Sequence, residues 1–240
     1  MSSLNYRHVV FLFLLTLPCM LHAQKRLESL KVDTSGRVET FGPNRRIFAQ
    51  AVASVGLFAD NGDPGARTRR AYSFQAGGRM KLKLWSWEAL TLDVYWKMQR
   101  WNLEQKPGKL LPDGNLHQRE LIVTHSLSGD FCNRINIGRR GDVLGTYVDL
   151  GVYGDYVFHS VHVMKDLYLD PAVSGKESQL TKNFGLPYMA PLNYGFKARA
   201  GNGWMNIFAM YRVSGIFKNE YTSLYPQLPR ITIGIEIGTE

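Results

Sequence analysis

The segment around His159 and His162 contains the residue types of a metal site. Asp155 and Asp166 flank the two histidines, and imidazole and carboxylate groups are common metal ligands. Side chains alternate between the two faces of a strand, so positions 159 and 162 would face opposite ways and could not bind one ion. We therefore predict no metal site and no cofactor.

A second candidate is the dipeptide His125-Ser126, because a serine beside a histidine is the start of a nucleophile and base pair. Some eight-stranded outer-membrane barrels are enzymes that modify lipid A with such residues. Neighbours in a strand point to opposite faces, so this dipeptide does not form the pair. We predict no catalytic residues, and lipid A modification stays open as an alternative function.

Charged residues recur at every second position in several segments, which places them on one face of a strand. Both signs occur, and charges enclosed in a protein must pair or stay hydrated. We predict a salt-bridged, water-containing network inside an enclosed space rather than a wide pore. Its members would be Arg79, Lys81, Lys83, Asp93, Lys97, Asp149, Asp155, Lys197, Arg199, Arg212 and Glu236.

The stretch Ser73–Trp101 indicates the elements that would carry these charges. Apolar and polar residues alternate on both sides of a short break at 86–88, which predicts a β-hairpin. Folding it about Trp87 places Lys81 opposite Asp93. Each strand is long enough for a tilted bilayer crossing, and aromatic residues stand near predicted strand ends: Trp85, Trp87, Trp101 and Trp204.

The same alternation predicts eight strands in all. Strands two and three lie in the hairpin, and the others are 47–58, 119–127, 147–158, 194–201, 204–213 and 230–238. Segment 134–139 could be a ninth strand, but single-chain bacterial barrels have an even number. We assign it to a connection spanning 128–145.

Predicted connections are tight at 85–89 and 202–203 and long at 59–70, 102–118, 163–192 and 215–229. Short turns at one end and long loops at the other are typical of outer-membrane barrels. The predicted fold is thus all-β, an eight-stranded antiparallel up-and-down transmembrane β-barrel. A secreted lipocalin-like barrel, with its apolar face inward, is the alternative.

The N-terminus has the features of a secretory signal. Residues 1–23 combine Arg7 and His8 with an apolar run and a cleavage position near Ala23. Residues 24–45 would be a periplasmic lead-in, and 46–240 the barrel domain. The formal charge of +9 then favours attraction to anionic lipid or lipopolysaccharide, since export argues against nucleic acid as the partner. Cys132, the one cysteine left after cleavage, predicts no internal disulfide.

Three short stretches resemble the small outer-membrane β-barrel proteins of the Bacteroidota, a porin-like group that includes PorT-type proteins. They are Leu150-Gly151-Val152-Tyr153-Gly154-Asp155-Tyr156, Asn193-Tyr194-Gly195-Phe196 and Leu228-Pro229-Arg230-Ile231-Thr232-Ile233-Gly234-Ile235. The resemblance spans roughly residues 46–238 and implies location in the outer membrane, but it carries over no catalytic site. One departure is the end Ile237-Gly238-Thr239-Glu240, since many such barrels end in an aromatic residue.

These patterns predict a non-enzymatic barrel with a structural or surface-interaction role. Its long loops would contact lipopolysaccharide, a protein partner or a host ligand. A narrow channel for ions or small solutes is a second hypothesis.

Overall fold

The computed structural model describes residues 44–112, 114–137, 145–169 and 176–239. The predicted signal peptide and almost all of the lead-in lie outside these ranges. The strands are β1 (Ile47–Phe58), β2 (Tyr72–Lys83), β3 (Glu88–Asn102), β4 (Arg119–Ile137), β5 (Thr146–Leu169), β6 (Lys176–Phe184), β7 (Leu192–Asn202), β8 (Met205–Arg212) and β9 (Ile231–Gly238). A short 3-10 helix covers Asn219–Tyr221. Within the described ranges, no helix is long and apolar enough to cross a membrane.

The nine strands form one antiparallel sheet that closes in a ring. The order is β4-β3-β2-β1-β9-β8-β7-β5-β6, and an additional pairing of β4 with β5 closes it. In the described chain β6 pairs with β5 alone, so the closed circuit passes through the other eight strands. Tight turns at 84–87 and 203–204 lie at one end, which we call the turn end. The opposite end, the loop end, carries the longer connections at 59–71, 103–118 and 213–230.

The predicted strand count of eight is wrong, and the difference lies in β4, β5 and β6. β4 runs on to Ile137, so it includes most of the segment 134–139, which the sequence pattern assigns to a connection. β5 extends to Leu169 and pairs with β6, inside the predicted loop 163–192. β5 pairs with β7 from Thr146 to Tyr156 and with β6 from Val161 to Leu169. The hairpin of β5 and β6 therefore continues beyond the ring at the loop end.

The predicted pairing of the two tight hairpins is displaced by two residues. Arg79, rather than Lys81, lies opposite Asp93, because the amides of Leu84 and Trp85 both donate to the carbonyl of Glu88 and the turn centres before Trp87. Folding the second hairpin at Asn202-Gly203 predicts Ala198 opposite Ile207, but Ala198 faces Ala209. Strand side chains repeat every two residues, so this displacement leaves each residue on its predicted face.

The two faces of the ring differ sharply in chemistry. Leu92, Val94 and Ile233 are about half exposed on the outside, whereas Lys81 and Asp93 are buried inside. This arrangement is opposite to that of a lipocalin-like barrel, in which apolar side chains fill the centre.

The largest apolar cluster lies at the loop end. It contains Trp101, Ile122, Leu186, Phe217 and Leu228, each buried, with further residues of the long connections. Few apolar side chains are buried in the polar interior of the ring. The hydrophobic effect therefore stabilises the long loops mainly through this cluster.

Candidate functional site

The interior of the ring holds a network of ion pairs centred on Asp93. Arg79 donates to this carboxylate through Nε at 2.9 Å and Nη2 at 3.0 Å, in a bidentate pair. Arg199 donates to Asp93 from the far side, and Arg79 also donates to Glu236. These four residues come from β2, β3, β7 and β9, so the contacts cross the enclosed space.

The network continues around the ring through Arg199 and Lys197. Arg199 Nε lies 3.0 Å from Asp149 Oδ2, and Arg134 donates to both oxygens of Asp149 at 2.8 Å. Lys197 donates to Asp130 at 2.5 Å and lies 3.6 Å from Glu236. All of these side chains are buried, and each charge has a partner of opposite sign, as buried charges require.

Lys97 and Asp155 form a separate pair nearer the loop end, with 2.8 Å between Nζ and Oδ2. Lys97 also lies over the ring of Tyr153 at 4.7 Å from its centroid. The residues of these pairs balance in formal charge, with five cations and five anions: Arg79, Lys97, Arg134, Lys197 and Arg199, against Asp93, Asp130, Asp149, Asp155 and Glu236.

The other three predicted network residues lie away from this centre. Lys81 is buried with Nζ 5.7 Å from the centroid of the Phe48 ring. Lys83 is only partly buried and donates to the Asn44 side chain at 3.2 Å near the turn end. Arg212 donates to the carbonyls of Leu228 and Pro229, at 2.9 and 3.0 Å. These residues therefore fix the ends of the ring rather than the central network.

Sequence reasoning missed Asp130, Arg134 and Tyr95. Asp130 and Arg134 fell in the assigned connection, although the alternation Ser128, Asp130, Cys132, Arg134 continues that of β4. Asp130 lies directly opposite Asp93 on the neighbouring strand. Like charges in that position repel, and here Lys197 and Arg199 offset the repulsion. The Tyr95 hydroxyl donates to Asp93 at 2.5 Å.

The outer face carries an apolar belt between two groups of aromatic rings. At the turn end Trp85 and Trp87 stack with centroids 6.1 Å apart, and Trp204 is also exposed. Toward the loop end a line of five rings crosses β2 to β6, with centroids 5.5 to 6.0 Å apart. We call it the aromatic row, and its members are Phe74, Trp96, His125, His159 and Phe184.

Trp101 does not belong to either group. We predicted an interfacial position for it, but it is fully buried in the apolar cluster at the loop end and lies 5.6 Å from Phe58 between ring centroids. Trp101 lies on the inward face of β3, the same face as Lys97 and Gln99, because these three residues occupy every second position.

The histidines occupy the faces that alternation predicts. His125 is on the outer face, whereas Ser126 is buried and its hydroxyl approaches the Lys97 carbonyl at 3.5 Å. His159 is exposed, whereas His162 is buried and lies 2.7 Å from Glu120 Oε1. In both cases the two residues therefore lie on opposite faces: His125 and His159 point outward, and Ser126 and His162 point inward. No group of three or more potential metal ligands occurs within the described ranges.

Glu120 is the centre of a polar clasp under the long loops, about 16 Å along β4 beyond the aromatic row. Its carboxylate accepts hydrogen bonds from Lys109 and from Gln105, the latter at 2.8 Å, in addition to the His162 contact. Burial alone would raise the pKa of the Glu120 carboxyl, but the hydrogen bonds from His162, Lys109 and Gln105 outweigh it and hold the pKa below its ordinary value. The clasp therefore contains a charged carboxylate at neutral pH.

Comparison of the chain with protein-family models and with curated proteins found no match.

Proposed function

We propose that this chain is an outer-membrane protein, a transmembrane β-barrel whose wall is closed by eight of its nine strands, with a non-enzymatic role in surface interactions. The observation that carries the proposal is the apolar outer belt of the ring. Leu92, Val94, Phe131, Leu150 and Ile207 are each about half exposed on it, and such a continuous apolar surface is costly in water. In this proposal β6 is an extension of one hairpin beyond the membrane.

The height of the belt supports a bilayer location. Trp87 and Trp96 are nine residues apart along one hairpin arm, which corresponds to about 30 Å of strand and, at a tilt of about 40°, to about 23 Å along the ring axis. Outer-membrane barrels carry an apolar band about 25 Å tall between aromatic girdles. The resemblance to small outer-membrane barrels of the Bacteroidota and the predicted signal peptide agree with this location.

The interior supports a structural role over conduction. Arg79, Asp93, Arg199 and Glu236 contact one another across the ring, and eight strands leave a centre that side chains fill. We expect no steady single-channel steps when the protein is inserted in a planar bilayer, and regular steps would favour the channel hypothesis instead.

The loop end supports a role in contacts outside the membrane. The long connections pack on their own apolar cluster, while Leu110, Leu116 and Leu224 remain more than half exposed beside it. A folded loop surface with exposed apolar side chains is typical of interaction sites. Lipopolysaccharide and a protein partner are the ligands that we propose, and a part in secretion would be one such role.

Labelling of single cysteines in intact cells tests the proposed membrane location and orientation. Leu224→Cys, at the loop end, should react with a membrane-impermeant maleimide, whereas Trp204→Cys, at the turn end, should react only after lysis. Cys132 is buried, so the unsubstituted protein is a low-background control. Recovery of the protein in the soluble periplasmic fraction, without heat-modifiable migration in gels, would contradict the proposal.

A further inference from the structure

Three cations lie together on the outer face of β4, β5 and β6. They stand above the aromatic row, that is, farther toward the loop end. Arg119 and Lys182 are exposed and Lys165 is half-buried. Arg119 and Lys165 lie directly opposite each other on neighbouring strands. Lys182 pairs with Val163, two residues from Lys165. We call these three residues the basic patch.

The basic patch has an electrostatic cost in the protein alone. Directly opposed residues on antiparallel strands have Cβ atoms about 5 Å apart, and like charges there are destabilising. Arg119, Lys165 and Lys182 form no ion pair with any residue in the described ranges, in contrast to the five paired cations of the central network. An external anion would remove this repulsion.

The height of the patch indicates what kind of anion could reach it. Arg100, also on the outer face, lies two residues beyond Met98, which pairs with His125 of the aromatic row. Allowing for strand tilt, it stands about 5 Å above the row, and Arg119 stands about 15 Å above it. A phospholipid head-group region is only about 6 Å thick, so a single phosphodiester would reach Arg100 but not Arg119.

We propose that the basic patch, with Arg100 below it, binds a glycolipid that carries several phosphates at different heights in its head group. This inference rests on the proposed membrane location. Val123 pairs with Arg100, and Val161 pairs with Val123, so both valines lie at the level of Arg100 on the strands that carry Arg119 and Lys165. With the aromatic row they offer an apolar surface for acyl chains and sugar rings. Lipopolysaccharide with phosphorylated lipid A and core sugars has this chemistry.

The test is a binding titration with the full-length protein in zwitterionic detergent. Its probes are phosphorylated lipopolysaccharide, the same lipopolysaccharide after dephosphorylation, phosphatidylglycerol and inorganic phosphate. The wild type should bind the phosphorylated glycolipid most tightly, and less tightly as salt is added. The triple variant R119Q/K165Q/K182Q should bind it roughly 100-fold more weakly, from the usual contribution of each cation near an anionic lipid surface.

A matched control removes the same number of charges elsewhere at the loop end. R67Q/R69Q/K218Q neutralises three exposed cations and should bind as the wild type does. Equal binding by the wild type and the patch variant would overturn the proposal. So would binding of phosphatidylglycerol as tight as that of the glycolipid, or displacement of the glycolipid by inorganic phosphate at comparable concentration.

Two further readouts separate failure of the inference from failure of its premises. In neutral phosphatidylcholine vesicles the wild type and the patch variant should both insert and show heat-modifiable migration. A wild type that does not insert would overturn the proposed location, whereas insertion without selective binding would overturn the patch alone.

Arg119→Gln alone, in detergent without anionic lipid, should unfold at an equal or higher temperature than the wild type. A lower unfolding temperature would contradict the repulsion between Arg119 and Lys165.

Discussion

Asp93 is the residue on which the interior depends most. Its carboxylate contacts Arg79, Arg199 and the Tyr95 hydroxyl, and it is fully buried. Asp93→Asn keeps the shape but leaves two buried guanidinium groups with less compensating charge. We expect a loss on the order of 3–5 kcal/mol in unfolding free energy, measured by urea unfolding of the protein folded in detergent.

The matched control for this change is Glu104→Gln. Glu104 pairs with Lys106 at 2.7 Å, and the Lys106 side chain is mostly exposed. Exposed ion pairs contribute little, so the urea midpoint should stay unchanged. A midpoint for Asp93→Asn equal to that of the control would show that water, rather than the arginines, balances the Asp93 charge.

Glu120 gives the loop end a dependence on pH. Because its pKa is below the ordinary value in the folded protein, its charge contributes stability above the pKa of the unfolded chain, and this contribution is lost as the pH falls through the folded value. The long loops should therefore stay resistant to protease at neutral pH and become susceptible in acid, as the pH falls through the pKa of folded Glu120, with an acid-active protease such as pepsin as the probe.

Glu120→Gln should produce the same loosening at neutral pH, seen as cleavage by chymotrypsin in the loops at least several-fold faster than in the wild type. Lys109 and His162 would face an amide in place of a carboxylate. Glu88→Gln at the turn end, where the carboxylate accepts from Asn133 at 2.6 Å, is the control and should leave the cleavage rate unchanged. Equal rates for the two variants would rule out the clasp as the element that holds the loops.

At the scale of the strands, inward glycines set how closely neighbours approach. A Cβ added at Gly77 would lie 2.0 Å from the carbonyl oxygen of Val94 on β3, and one at Gly234 would lie 2.1 Å from that of Val55 on β1. Such contacts are far inside van der Waals distance and involve backbone atoms that cannot rotate away. These glycines allow the strong coiling that closing a small ring requires.

Gly77→Ala should therefore destabilise the ring, visible as loss of the heat-modifiable band at a lower temperature than in the wild type. Gly154→Ala is a matched change in β5, because an added Cβ there meets nothing within 4 Å, and it should behave as the wild type. If the two variants melt alike, close strand approach is not what requires glycine at position 77.

The strands also show where sequence alone is sufficient. β1 matches its predicted bounds, Ile47–Phe58, because its alternation is regular and turn residues follow it. The sequence pattern ends β4 too early, since Ser128, Gly129 and Asp130 interrupt its apolar alternation after Leu127. β6 was missed because it carries little apolar pattern, and its pairing with β5 is a contact between segments rather than a local property.

For the molecule as a whole, the proposed membrane location rests on the outward direction of the apolar face. Val94→Arg puts a charge in the middle of the belt, about 2–4 kcal/mol unfavourable in lipid. We expect markedly less insertion into vesicles and less folded protein in the outer membrane. In a soluble barrel the same change on an exposed side chain would be neutral or would increase solubility.

Leu224→Arg is the control for this prediction. Leu224 is exposed at the loop end, above the belt, so an added charge there should leave insertion unchanged. Equal insertion of the Val94 variant and this control would be incompatible with a membrane-embedded belt.

The sequence by itself determined which side chains share a face. Alternation is a local property of extended backbone, and it assigned the charges to one side and the apolar residues to the other whatever the pairing. Only the tertiary structure decided which charges meet. Arg79 rather than Lys81 lies opposite Asp93, Arg134 and Asp130 join the network, and Trp101 lies in the loop cluster. Those contacts depend on turn centres, on strand extension and on closure of the ring, which bring together residues that lie far apart in the chain.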